Sequence, residues 1–478
     1  NFIALTFFIF GWNSISAQSL STHPFLNETM VSWHQFNVEE TGVHKISKDF
    51  LSKLDIPVQE IDPKTIRIYG RGGQMLPLRL GDDIESLYEN ALIVMGEEDG
   101  SFDDEDYILF MGFANDNWNE ESETYLNLYH DTAQYYITYG NSFGKRALVL
   151  EGTKTTDTDA ISNAIYTAFI EEDKYNLGSL GRRWFGQRFS DGQEETFTIE
   201  TPNVAQGTQI DVAARVSSNG SATSTFKLTI GSDVDVEPIS GTSKTIVGSE
   251  PSTSFNELQG MLHLSKNAIE SITAKILYSS NGDLAANGYL DFLIAQYLRD
   301  LDGAGGSFIF SLEPQDTVQQ LMVASASNET CIWEIGVDVV HMPPKGATSF
   351  GSDVIVDERS KYFLSTAYKT PTYTRSTRVF NPYSALKNIS ALPPINYLLI
   401  TSEEFRKEAE LLVSHRKNFA GLSAQVVTVE EIYQAFSTGQ QDIAAIRNFV
   451  RYLYFSQGKK LKYLCLFGDT SYDYKKRT

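Results

Sequence analysis

Residues 395–401 read I-N-Y-L-L-I-T, residues 423–429 read S-A-Q-V-V-T-V, and residues 462–469 read K-Y-L-C-L-F-G-D. Each is a short apolar run rich in Leu, Ile, Val and aromatic residues. A strand covered on both faces carries such a run, whereas a half-exposed strand alternates. Between the runs the apolar residues recur at helical spacing. Phe405, Ala409 and Leu412 share one face of a first helix, opened by Thr401 as cap with Glu404 three residues on. Gly421 closes that unit. A short helix is expected over Glu430 to Phe436, followed by the turn Ser437-Thr438-Gly439. Asp442 then caps the longest helix, with Ile443, Ile446, Phe449, Val450 and Leu453 as its apolar stripe and Arg447, Asn448 and Arg451 facing elsewhere. Strand, helix and strand in this order predict a parallel sheet with helices on both faces. Three strands do not complete such a sheet, and nine residues follow Asp469, so the segment reads as the truncated first part of an α/β domain.

In open α/β sheets ligands bind beyond the carboxyl ends of the strands. Gly468, Asp469 and Thr470 sit at one such end, and Thr401 and Ser402 at another. These five are the candidate rim of an active site. His415, the one histidine after residue 391, falls on the first helix away from any strand end and reads as a surface histidine. Cys465 lies inside an apolar strand, where a free thiol behaves as a small hydrophobe rather than a nucleophile. With Cys331 it makes neither a disulfide framework nor a zinc site.

Upstream, the pattern changes to dense short strands. Of the 478 residues, 41% are hydrophobic and 12% aromatic, with 24 Tyr and 29 Phe, a composition that favours β structure and excludes global disorder. Strands are expected at 42–46, 65–69, 107–110 and 135–139. A second series runs 196–200, 209–216, 224–230, 271–277, 289–295, 308–312 and 334–340. Strands this close together, separated by Gly, Asn and Ser, predict a β-sandwich. Gly70-Arg71-Gly72-Gly73 lacks the Lys-Ser/Thr of a phosphate loop and reads as a tight turn. The acidic run from Glu97 to Asp106 has the oxygen-rich character of a calcium site, but not the spacing of an EF-hand, and reads better as a solvated turn before a strand.

The apolar run from Phe2 to Trp12, followed by Ser14-Ile15-Ser16-Ala17, is too short to span a bilayer and reads as an export signal whose beginning is missing. Thr153 to Ala160 is a small, polar linker. The expected organisation is therefore multidomain: a signal over 1–17, a β-rich region over 18–155, a β-sandwich over 156–390, and a partial α/β domain over 391–478. A net charge of −22 excludes nucleic acid as a partner by simple repulsion.

The run I-Y-Q-A-F-S-T-G-Q-Q-D-I-A-A-I-R-N-F-V-R-Y-L-Y (432–454), followed by K-Y-L-C-L-F-G-D-T-S-Y-D-Y (462–474), resembles the start of the gingipain-type cysteine peptidase domain. It is most similar to the PorU-type sortases of the Bacteroidetes type IX secretion system. Gln434, Ala435 and Thr470 depart from that family's usual residues. R-I-Y-G-R-G-G-Q-M-L-P (67–77), D-Y-I-L-F-M-G (106–112) and G-R-R-W-F (181–185) resemble segments of its β-rich N-terminal region more loosely.

The resemblance implies a caspase-like fold in which a His and a Cys at successive strand ends attack a peptide carbonyl and form an acyl-enzyme. It implies secreted cargo with a C-terminal sorting signal as substrate, anionic lipopolysaccharide as acceptor, an outer-membrane β-barrel as partner, and the outer face of the cell surface as the place of action. It leaves the catalytic His and Cys beyond Thr478, since neither His415 nor Cys465 matches them, and these 478 residues are then expected to be inert. Two other readings stay open: a secreted gingipain-like protease, and a non-catalytic cell-surface binding or adhesion protein.

Overall fold

The computed structural model describes residues 30–79, 87–153, 160–177, 181–220, 223–239, 244–247, 254–315, 317–373 and 387–477. The expected export signal at 1–17 and residues 154–159 of the expected linker lie outside these. Among the described residues no helix is long and apolar enough to cross a membrane. The chain divides into two compact units. The described residues of the smaller are 30, 76–79, 87–88 and 387–469; the larger takes in the β-rich region and also residues 470–477.

The larger unit is built from paired β-sheets, mostly antiparallel. In the first pair, one sheet orders the strands Met30–Val38, Ala133–Gly140, Arg67–Tyr69 and Glu89–Asn90, and the other orders Gly42–Ser47, Tyr107–Gly112 and Leu92–Met95. Phe36, Phe110 and Tyr135 fill the core of this part, with Phe36 edge-on to Phe110 at 5.7 Å. The glycine cluster forms a tight turn, as its sequence predicts. Gly72 has φ +73°, and the Gly70 backbone lies so close to the Tyr135 ring that a Cβ would meet it at 2.5 Å.

The second pair is the expected β-sandwich. Glu194–Glu200, Ser271–Ser279, Ser224–Ile230 and Asp233–Ile239 form one sheet; Gln209–Ser218, Ser254–Asn267 and Gly288–Asp300 lead the other. Strict alternation builds its core: Phe226, Leu228 and Ile230 point in from one strand, Ile272, Ala274, Ile276 and Tyr278 from another, and Ile210, Val212 and Ala214 from the facing sheet.

Strands after residue 300 leave this sandwich. Phe308–Phe310, Tyr362–Ser365, Cys331–Glu334 and Val339–Met342 form a sheet that ends on Leu148–Glu151, paired in parallel with Val339–Met342. The single strand expected over 334–340 is in fact a hairpin. Gly336 (φ +84°) and Asp338 (φ +63°) turn the chain between Cys331–Glu334 and Val339–Met342.

The smaller unit contains the parallel sheet. Tyr397–Thr401 is the central strand and buried throughout, flanked by Ala424–Thr428 on one side and Tyr463–Leu466 on the other. Helix Arg406–Ala420 covers one face through Ala409 and Val413 against Tyr397, Leu399 and Val426. Helices Val429–Phe436 and Ile443–Ser456 pack together through Phe436 and Phe449, 5.7 Å apart. The helical faces differ in detail from the sequence reading. Phe405 and Ile443 are exposed, while Ala444, Ala445 and Asn448 are buried with Phe449 and Leu453. The stripe is rotated because small residues, not the larger aliphatics, allow the close approach. On the outer strand, Tyr463, Leu464 and Leu466 are exposed.

Candidate active-site rim

The strand order in the sheet is second, first, third. The chain therefore reverses direction beside the first strand, and the crevice that a sheet of this order offers to ligands falls between the carboxyl ends of the first and third strands. Thr401 stands at the first end. Its hydroxyl donates to the Phe467 carbonyl at 2.8 Å, and its side chain is buried. Thr401 is thus a tie across the floor of the crevice, not a helix cap as the sequence pattern implies. Ser402 takes the N-cap position of the 3-10 turn Glu403–Phe405, with no side-chain capping bond, and helix Arg406–Ala420 begins after that turn.

At the third strand end, Gly468 and Asp469 are exposed. Gly468 has φ +142°, a backbone state that side chains rarely adopt, so a glycine is required where the chain leaves the strand. Of the five candidate residues, Thr401, Ser402, Gly468 and Asp469 fall in the smaller unit, while Thr470 belongs to the larger.

The rim also carries groups that the sequence reading passed over. Thr428, at the end of the second strand, caps helix Val429–Phe436 through a full capping box with Glu431. The Glu431 carboxylate accepts from the Thr428 N–H at 2.9 Å and pairs with Arg406 at 3.1 Å. Arg406 donates to Glu403 at 2.8 Å, and the Glu403 N–H reaches Glu430 at 3.2 Å. Burial works against the Arg406 charge, but Glu403 and Glu431 outweigh it and raise its pKa. A network of one cation and three carboxylates thus joins the ends of the first two strands. The Thr428-x-x-Glu431 spacing was legible in the sequence; the Arg406 partnership was not.

No Cys–His pair is assembled among the described residues. Cys331 is buried on its strand, and burial pushes its thiol up to about 12. Cys465 sits mid-strand, paired with Leu399 and packed on the core, short of the strand end. His415 is exposed on the first helix, 4.5 Å from the Phe419 ring. Among the described residues no group of three His, Cys, Asp or Glu side chains could hold a metal ion. Two carboxylates of the acidic turn have basic partners: Glu97 pairs with Arg146 at 2.7 Å, and Asp104 with Lys48 at 2.8 Å.

Comparison with known proteins places this geometry. Residues 390–478 match the model of Peptidase family C25. No curated protein sequence matches the chain. Among solved structures, dimeric latent PorU from Porphyromonas gingivalis superimposes with a TM-score of 0.72 at 16% identity, over 95% of this chain and 43% of that one. This chain therefore spans less than half the length of that protein. A CBM36-1 domain of a xylanase from the hindgut metagenome of Trinervitermes trinervoides (14% identity; 27% of this chain, 95% of that one) has a TM-score of 0.18. Insecticidal crystal protein Cry2Aa (17% identity; 35% of this chain, 27% of that one) also scores 0.18. Neither carries any argument. Residues 390–478 thus resemble Peptidase family C25, on a chain that shares the multidomain β-rich fold of latent PorU.

Proposed function

We propose that this chain is the scaffold-bearing part of an exported cysteine transpeptidase that removes C-terminal sorting signals from type IX-secreted cargo and joins the cargo to lipopolysaccharide at the cell surface, beside an outer-membrane β-barrel. The observation that carries the reading is that the likeness to latent PorU extends through the β-rich region and is not confined to the α/β segment. That upstream likeness favours this reading over a gingipain-like protease without conjugating activity.

The chemistry is acyl transfer. A thiolate attacks the scissile carbonyl, the peptide amine leaves, and an acceptor amine or water resolves the thioester. The residues present would position that chemistry. The second-first-third sheet order opens the crevice, and the Thr401–Phe467 tie fixes its floor. The reading places the nucleophile and its histidine outside the 478 residues; the burial of Cys331, the mid-strand position of Cys465 and the helix position of His415 support it.

The test is made in the whole gene product. Replacing its strand-end cysteine by Ala should leave cargo with its sorting signal attached and shed from the cell surface. Normal processing and surface attachment in that variant would refute the reading.

A further inference from the structure

The larger unit contains a cavity of about 200 Å³ between the glycine turn ending at Met75 and the loop from Asn115 to Asn127. That is several times the ~30 Å³ that one water occupies in the liquid. It is smaller than the ~300–1,000 Å³ of sites for drug-sized ligands. A single six-membered ring is the appropriate scale.

The walls are fixed in place. The Gly73 backbone approaches the 114–115 backbone so closely that a Cβ would lie 2.3 Å from the Ala114 carbonyl oxygen. Buried Asn127 donates to the Gly73 carbonyl at 2.7 Å and accepts from the Tyr129 N–H at 2.8 Å. Asn115 donates to the His130 carbonyl at 2.7 Å, and Asn117 to the Ala114 carbonyl at 2.9 Å. Each of these two amides is held by its NH2 end, and its carbonyl oxygen has no partner among the described residues. Asn119 is held the other way round: its oxygen accepts from the Ser122 N–H at 2.8 Å, leaving the NH2 as a donor. Trp118 completes the wall. Its ring rests against Tyr125 at 4.8 Å and edge-on to Phe292 at 5.8 Å, while Tyr125 stacks on Phe169 at 4.0 Å. The indole is braced, yet 40% exposed.

The chemistry of this lining selects its ligand. No Lys or Arg is among the lining residues and Glu120 is one of them, so a phosphate or carboxylate would enter without a counter-charge and beside a like charge. Apolar surface is confined to Met75, Leu126 and the indole, too little for a lipid tail. Pre-oriented amide acceptors and a donor beside a flat aromatic face suit a ring with hydroxyls on its edge and C–H groups on its face. We propose that this cavity binds a neutral pyranose at the end of a glycan, its hydroxyls on Asn115, Asn117 and Asn119 and its C–H face on Trp118. The proposal rests on the β-rich unit alone and is independent of the peptidase reading.

The protein is titrated with the methyl glycosides of mannose, galactose and N-acetylglucosamine, with inorganic phosphate and tetramethylammonium as controls. Binding is read by tryptophan fluorescence and by saturation-transfer NMR. At least one glycoside should bind saturably with a millimolar Kd, with transfer concentrated on the C–H protons of one ring face. W118L, which keeps an apolar side chain against Tyr125, should weaken this at least tenfold. No saturable binding by any of the three, unchanged binding in folded W118L, or a response confined to phosphate or tetramethylammonium would overturn the proposal. If W118L does not fold, the wild-type NMR pattern decides: ring-face transfer supports the site, and its absence overturns it.

Discussion

Asp442 binds two backbone amides, one two residues ahead of it and the other 366 residues away in sequence. Its Oδ1 accepts from the Ala444 N–H at 2.8 Å, which caps the long helix, and its Oδ2 accepts from the Leu76 N–H, also at 2.8 Å. Arg447, one turn on, donates to the Pro77 carbonyl at 2.7 Å and to the Leu78 carbonyl. The first turn of this helix is thus a receptor for residues 76–78, which is why they belong to the same compact unit as 387–469.

Replacing Asp442 by Ala removes a helix cap, worth about 1 kcal/mol. It also strands a buried N–H, at a further cost of about 1–3 kcal/mol. The smaller unit should therefore lose about 2–4 kcal/mol in denaturant titrations. D442N keeps one acceptor oxygen and should fall between the two. Equal stability of D442A and the parent would contradict the capping geometry.

Arg477 and Asp173 make a second long-range contact, within the larger unit. The pair is 2.8 Å apart and buried, and the guanidinium lies 4.3 Å from the Trp184 ring, which itself stacks on Tyr472. R477A leaves a carboxylate buried without its cation and should cost about 3–5 kcal/mol. Adding D173N to R477A should recover part of that loss, because the stranded charge is gone. A double-mutant cycle with no coupling would show that the ion pair is idle.

Burial pushes Glu171 up to about 7, despite hydrogen bonds from Thr124 and the Tyr125 N–H, and pushes Asp291 to about 6, despite Arg215. Below the unfolded value of about 4.5, Glu171 is neutral in both states. Between there and about 7 the folded state keeps a proton that the unfolded state has released, so stability falls as pH rises through that window. The melting temperature of the larger unit should accordingly decline from pH 5 to pH 8. E171Q, which cannot ionise, should flatten the decline and melt about 2 °C or more higher at pH 8. A parent protein whose stability rises over this range would contradict the assignment.

T401V removes the hydroxyl that ties the two strand ends and leaves its shape. It should cost about 1 kcal/mol and loosen the Phe467 end of the sheet, read as faster amide exchange at 466–469. Exchange there unchanged from the parent would remove Thr401 from the crevice floor.

The parallel sheet was legible because Tyr397–Thr401 is buried on both faces, so burial wrote a continuous apolar run into the sequence. The sandwich strand Ser224–Ile230 was equally plain, since one face is buried and the residues alternate. Thr401 was misread because its partner, the Phe467 carbonyl, is 66 residues away, while the cap pattern is local. The Arg215–Asp291 pair was invisible for a related reason. A register shift between Arg215 and Val216 leaves Asp291 unpaired in the ladder and turns it toward Arg215, and bulges follow from pairing, not from local sequence. The hairpin at 331–342 was the opposite case: Gly336 and Asp338 gave the signal, but the apolar residues around them masked it.

The central proposal is that residues 390–478 carry part of a cysteine peptidase scaffold whose nucleophile is neither thiol described above. A peptidyl acyloxymethyl ketone, which alkylates active-site thiolates, applied to the whole gene product and mapped by mass spectrometry, tests it directly. The label should fall on a single cysteine outside residues 1–478. Label on Cys465 or Cys331, or no labelled cysteine at all, would contradict the account.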